Sequence, residues 1–195
     1  VMHMNGINTV IRIPKFNSEN PNQYYSVWEQ KYTLPYGHDI FDLDISPDGT
    51  KLSAAVADYF GNQYLNIYDL ASIDNVDKEN IKFDEVFNFE VASPQTFKFT
   101  DDGKFLIGSS FYSGVSNIFR VNVENLEIEV MSNAITGYFR PIQIDSDRMF
   151  CFRYTSDGFA PVTVPNSPVD NVSSIEFLGN KTVQKHPVLK SWKTE

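Results

Sequence analysis

Thiol chemistry is nearly absent from this 195-residue chain: its one cysteine, Cys151, allows neither an intrachain disulfide nor a cysteine-based zinc site. Within Met149-Phe150-Cys151-Phe152 it reads as a small buried hydrophobe, not a nucleophile. Long apolar runs are missing too. Nothing approaches the ~18 consecutive apolar residues that a membrane span needs, so no direct membrane insertion is expected. The opening Val1-Met2-His3-Met4-Asn5-Gly6 has neither a basic nor a long apolar region and does not read as a secretion signal. It is strand-like from its first residue, which predicts a piece of a longer protein. Clustered positive charge is also lacking. With 16 Lys and Arg against 25 Asp and Glu the formal net charge is −9, and this disfavours a nucleic-acid partner. The acidic residues are spread through turns and strand faces (Asp42, Asp44, Asp48, Asp101, Asp102), the pattern of a solubilising surface.

Catalytic signatures are wanting in the same way. Gly114-Val115-Ser116-Asn117-Ile118 fails at the last position of the Gly-x-Ser-x-Gly elbow, and no His-Glu-x-x-His, phosphate loop or dinucleotide fingerprint occurs. His3, His38 and His186 lie far apart, and the aspartates do not have the spacing of a calcium loop. No catalytic residue, metal or cofactor is therefore expected.

What the chain has is aromatic residues and a repeat. Sixteen Phe and ten Tyr suit pleated, half-buried strands, and helical periodicity is nearly absent. Phe41-Asp42-Leu43-Asp44-Ile45 runs into Ser46-Pro47-Asp48-Gly49-Thr50-Lys51-Leu52, and Phe97-Lys98-Phe99 into Thr100-Asp101-Asp102-Gly103-Lys104-Phe105-Leu106. A third copy covers Ile142 to Met149, and a weaker fourth covers Ile175 to Lys181. Alternation puts Phe41, Leu43 and Ile45 on a buried face and Asp42 and Asp44 outside. Asp-Gly in the first two copies and Gly-Asn in the fourth predict tight two-residue hairpin turns. Further strands are expected over 51–57, 64–70, 83–91, 104–111, 117–123 and 126–131, with three more over 1–4, 9–13 and 25–32. The anchors Ile45, Phe99, Ile144 and Phe177 are spaced by 54, 45 and 33 residues. The middle spacing fits a four-stranded propeller blade, and the polar insert 72–80 explains the longer one.

These features predict an all-β fold, a partial or small β-propeller of roughly four antiparallel blade-like repeats forming a single domain. Its parts are an incomplete first blade (1–40), repeats at 41–92 and 93–137, a short one at 138–171, an incomplete last one (172–186) and an exit segment (187–195). Unpaired strand edges in such an open arrangement are a surface for self-association.

Ile45-Ser46-Pro47-Asp48-Gly49-Thr50-Lys51-Leu52 resembles the WD-repeat-like propeller repeat of the TolB family, marked by a Ser-Pro-Asp-Gly turn between two inner strands. Thr100 to Leu106 is a degenerate second copy, and the resemblance covers about residues 40–183. It implies a periplasmic or cell-envelope protein that binds other proteins as part of a longer chain, and it supplies no active site. The related propellers of prolyl oligopeptidase-type peptidases gate a separate hydrolase domain, which is the alternative expectation.

Candidate contact residues lie in the loops joining second and third strands: Asp58, Tyr59 and Asn62 in one repeat, Tyr112 in the next, and Tyr154, Asp157 and Phe159 in the third. Tyrosines beside polar groups on a rigid scaffold suit a protein partner. The competing reading has the rings capping the ends of blade cores. A carbohydrate-binding propeller, with acidic groups and stacking aromatics, is a further alternative.

Overall fold

The computed structural model describes residues 1–4, 6–13, 19, 29–74, 81–170, 185, 186 and 188. The expected fourth copy at 175–181, most of the exit segment, and residues 25–28 and 75–80 lie outside them.

The described strands form four antiparallel sheets in chain order. The first holds β1 (Met2–Met4), β2 (Ile7–Arg12) and β3 (Glu29–Thr33). The second holds β4 (Asp39–Ile45), β5 (Lys51–Ala57), β6 (Gln63–Asp69) and β7 (Phe83–Asn88). The third holds β8 (Pro94–Phe99), β9 (Phe105–Ser110), β10 (Asn117–Asn122) and β11 (Ile128–Val130). The fourth holds β12 (Tyr138–Gln143), β13 (Arg148–Thr155) and β14 (Gly158–Pro165). Every neighbour in a sheet is its neighbour in sequence, so connections alternate between two ends. In the second, third and fourth sheets the first-to-second turns sit at one end. Their second-to-third loops and the crossovers between sheets share the other, together with the β1–β2 turn.

The first-to-second turns are built by side chains. Ser46 Oγ donates to Asp48 Oδ1 at 2.6 Å, which also accepts from Thr50 N at 3.0 Å, while Lys51 N donates to Ser46 Oγ at 2.9 Å. Thr100, Asp102, Lys104 and Phe105 repeat this network: Thr100 Oγ1 donates to Asp102 Oδ1 at 2.6 Å, and Phe105 N to Thr100 Oγ1 at 3.1 Å. The expected two-residue turn is corrected here. Ser46 N pairs with Lys51 O, four residues intervene, and only Gly49 and Gly103 take positive φ, +71° and +70°. The aspartate is spent on the Asx-type network, not on left-handed backbone.

The alternation read in β4 also needs correction. Register shifts between Phe41 and Asp44, which puts Ile40 opposite Val56 and Ile45 opposite Leu52; Ile40 is buried, and Ile45, expected inside, is 57% exposed. Equivalent shifts occur between Gln95 and Lys98 in β8 and between Phe139 and Ile142 in β12. A bulge changes which face each later side chain takes. A short helix, α1 (Leu70–Asp74), begins at the last residue of an expected strand and runs into the expected insert.

Three apolar layers lie between the four sheets. Val10 and Leu34 meet Ile40, Leu52, Ala54, Val56 and Tyr68 in the first. Leu65, Ile67 and Phe89 meet Phe97, Leu106, Phe119 and Val121 in the second. Ile107, Ile118 and Met131 meet Met149 and Cys151 in the third. The middle strands therefore bury both faces: Leu106 belongs to one layer and Ile107 to the next. This is why Lys51-Leu52-Ser53-Ala54-Ala55-Val56-Ala57 and Phe105-Leu106-Ile107-Gly108-Ser109-Ser110 show runs of small and apolar residues with little alternation. Cys151 is wholly buried, and desolvation pushes its thiol pKa up to about 11.

Candidate functional site: an aromatic rim and an inner cleft

The three predicted loops all join the second and third strands of their sheets and lie at one end of the molecule. Within the first, Asp58 is an organiser. Its Oδ1 accepts from Phe60 N and Asn62 N, both at 2.9 Å, and its Oδ2 accepts from Asn62 Nδ2 at 2.8 Å and Tyr64 Oη at 3.2 Å. These bonds, led by that from the Asn62 side chain, hold the carboxyl below the usual carboxylate range. Asp58 and Asn62 thus shape the loop, and they push Tyr59 and Phe60 outward. Those two rings are 67% and 74% exposed, with centroids 3.9 Å apart, and His38 approaches Tyr59 edge-on at 6.0 Å. Phe60 lies between the predicted Tyr59 and Asn62 but was not singled out by the sequence.

The other loops form a second group. Tyr154 meets Phe159 at 5.4 Å, Phe159 meets Phe139 at 5.2 Å, and Phe139 meets Phe111 at 5.8 Å. Tyr112, next to Phe111, turns back edge-on over Phe87 and Phe89 at 5.1 and 5.9 Å. Tyr112 therefore caps the second apolar layer while still 43% exposed, whereas Tyr59, Phe60, Tyr154 and Phe159 present half or more of their surface. Asp157 receives no side-chain hydrogen bond among the described residues; its backbone N donates to Thr155 Oγ1 at 3.3 Å.

The first strands of three sheets, β4, β8 and β12, lie side by side. At their bulges Asp42, Thr96 and Arg140 adopt φ of +50°, +55° and +50°. Left-handed backbone is disfavoured for any residue with a Cβ and most of all for a β-branched one. Its occurrence at the matching place in three consecutive repeats is a designed feature of the inner strands. Asp42 Oδ2 accepts from Thr96 N at 2.9 Å and Asp44 Oδ2 from Phe99 N at 2.8 Å, so carboxylates of one sheet satisfy backbone donors of the next.

Along these bulges opens a cleft of about 640 Å³. Its walls include Phe41, Phe139, Phe152 and Phe159, and its polar groups include Asp42, Gln95, Thr96, Ser109 and Arg140. Thr96 Oγ1 and Ser109 Oγ are buried without a hydrogen-bond partner. The sequence singled out Phe159 alone of these. Asp42, Thr96 and Arg140 share a backbone position but no residue type, so no sequence signal pointed to them as a set. Among the described residues no group of three His, Cys, Asp or Glu is placed to hold a metal, and no helix is long and apolar enough to cross a membrane.

No protein-family model and no curated protein matches the sequence. Among solved structures the chain is similar to TolB from Acinetobacter baumannii, with a TM-score of 0.54 and 17% identity over 77% of this chain and 37% of that one. It is also similar to a puromycin-hydrolyzing peptidase from Mycobacterium tuberculosis, at TM-score 0.51 and 10% identity over 71% of this chain and 22% of that one. Prolyl oligopeptidase B from Galerina marginata gives 0.51 and 13% over 74% and 22%. The chain thus spans little more than a third of the TolB structure and under a quarter of either peptidase. Four sequential antiparallel sheets, packed face to face with their first strands together and similar in course to these structures, make the chain part of a β-propeller of the TolB-like fold.

Proposed function

We propose that the chain is the contact-bearing part of a non-enzymatic protein-binding or scaffolding propeller of the cell envelope, with the aromatic rim as its surface. The observation that carries this reading is the outward projection of the paired Tyr59 and Phe60 rings from a loop braced by the Asp58 carboxylate. Exposed, pre-ordered aromatic rings lose little freedom on docking and bury large area, which suits a protein partner. The net charge of −9 argues against nucleic acid. The fold shared with TolB supports the envelope location.

A photo-crosslinking residue placed at Tyr59 or Tyr154 is expected to capture a discrete envelope protein. The same residue at Thr50, on the opposite end, is expected to capture none. Equal labelling from both ends refutes the rim as the contact surface. A second reading, a propeller that gates a hydrolase elsewhere in a longer protein, is favoured by the similarity to the two peptidase structures. Peptidase activity in the intact protein, lost when a nucleophilic serine outside this chain is replaced, would select it.

A further inference from the structure

We propose that the inner cleft binds an organic carboxylate carried on an aromatic or apolar body, and that Arg140 holds the carboxylate. Phe159 belongs to both the rim and the cleft wall, but this proposal rests on Arg140, Thr96 and Ser109, which the rim reading does not use. The guanidiniums of Arg120 and Arg148 are held by Glu129 and Asp145, each at 2.7 Å. Those of Arg140 and Arg153 have no hydrogen bond or ion pair among the described residues, and of the two Arg140 lines this cleft. Its backbone sits at a φ of +50°, in a bulge that re-aims the side chain.

The remaining lining fits the same ligand. Ser109 and Thr96 each keep a buried hydroxyl without a partner, and a hydroxyl turns freely to donate to an incoming carboxylate. Such a bond offsets the cost of leaving the group unpaired. Phe139, Phe152 and Phe159 supply apolar wall, with Phe139 and Phe159 edge to face at 5.2 Å. Asp42 on the β4 side is committed to Thr96 N, and its negative charge disfavours a phosphate or other polyanion beside a single Arg. A monoanion with an apolar body satisfies all of these groups. The volume, about 640 Å³, lies within the usual range for small-ligand sites.

The carboxylate has two sources, a free small acid or the C-terminus of a polypeptide. Titration of the full chain with N-acetylphenylalanine, followed by chemical-shift changes, tests the chemistry. The acid is expected to shift Arg140, Ser109 and Phe159 and to bind about tenfold or more tightly than N-acetylphenylalanine amide, the difference one charge-assisted contact makes. Arg140→Gln is expected to abolish that preference and Arg140→Lys to keep part of it. Glu124→Gln, at the far end, leaves it intact. A peptide ending in phenylalanine that binds over tenfold tighter than the single residue, and loses this on amidation, identifies a chain terminus as the source; equal affinities identify a small acid.

Equal binding of acid and amide to the unaltered chain overturns the proposal without reference to any variant. So does absence of binding by either at millimolar concentration, or an acid preference that survives Arg140→Gln in a folded protein. Crosslinking from Tyr59, outside the cleft, and the dependence of the acid preference on Arg140 are separate readouts, so failure of one reading leaves the other standing.

Discussion

Replacing Gly108 with alanine puts a methyl group where the second apolar layer has no space. A Cβ there falls 2.4 Å from both Cγ and Cδ2 of Phe97. The Phe97 ring has no exit: it is 1% exposed and packs 5.8 Å from the buried Phe89 ring. Two effects oppose each other. Alanine lowers the entropy of the unfolded chain, worth about 0.5–1 kcal/mol in its favour. Overpacking a filled core costs about 1–3 kcal/mol. The clash wins, because neither the β9 backbone nor the trapped ring yields cheaply, and a net loss of about 1–2 kcal/mol is expected. For a chain of this length that lowers the melting temperature by about 2–4 °C per kcal/mol. Urea unfolding followed by far-ultraviolet circular dichroism should show a lower midpoint at unchanged slope. Phe97→Leu should recover part of the loss in the Gly108→Ala background while destabilising the parent, a coupling that a double-mutant cycle reads directly. An unchanged or raised midpoint for Gly108→Ala refutes the packing described for this layer.

Three further outcomes follow from other parts of the structure. Phe89, wholly buried amid Phe87, Phe97, Phe119 and Tyr112, should cost about 3–5 kcal/mol when cut to alanine, measured by the same unfolding curve. Thr96→Gly should raise stability by about 1 kcal/mol, since it relieves a β-branched residue at φ +55° and removes a partnerless hydroxyl; a drop in stability would show that this hydroxyl is engaged. Hydrogen bonds, first those from Ser46 to Asp48 and from Thr100 to Asp102, lower both carboxyl pKa values in the folded state. Groups depressed in this way stabilise the fold above their unfolded pKa, about 4, and that contribution disappears as pH falls through the folded value. Asp48→Asn should therefore flatten the dependence of unfolding midpoint on pH below about 4 and leave its slope near neutrality unchanged.

The turns were the most legible part of the sequence, because Ser46 with Asp48 and Thr100 with Asp102 place a hydroxyl and a carboxylate two positions apart ahead of a glycine. Their length was misjudged, since residue type does not reveal that the aspartate side chain, not its backbone, closes the turn. The inner strands were legible as strands but not as surfaces. Each carries a bulge that leaves no compositional trace, and in β4 Ile45, expected inside, is exposed. The candidate rim was readable as loops rich in Tyr and Asp, but the sequence could not divide their labour: Asp58 and Asn62 brace, Tyr59 and Phe60 project, and Tyr112 folds inward. The cleft was opaque because Asp42, Thr96 and Arg140 share a conformation and no chemistry.

The three apolar layers carry a consequence for how such a chain changes over generations. No hairpin possesses a core of its own; every layer is joint property of two neighbours, as Leu65 with Phe97 and Ile107 with Met149 show. The unit that can be copied or lost without leaving a naked face is therefore a full period, wherever along the chain it is cut. An excision running from the middle of one sheet to the middle of the next brings matching halves together, while removal of a single strand orphans two seams at once.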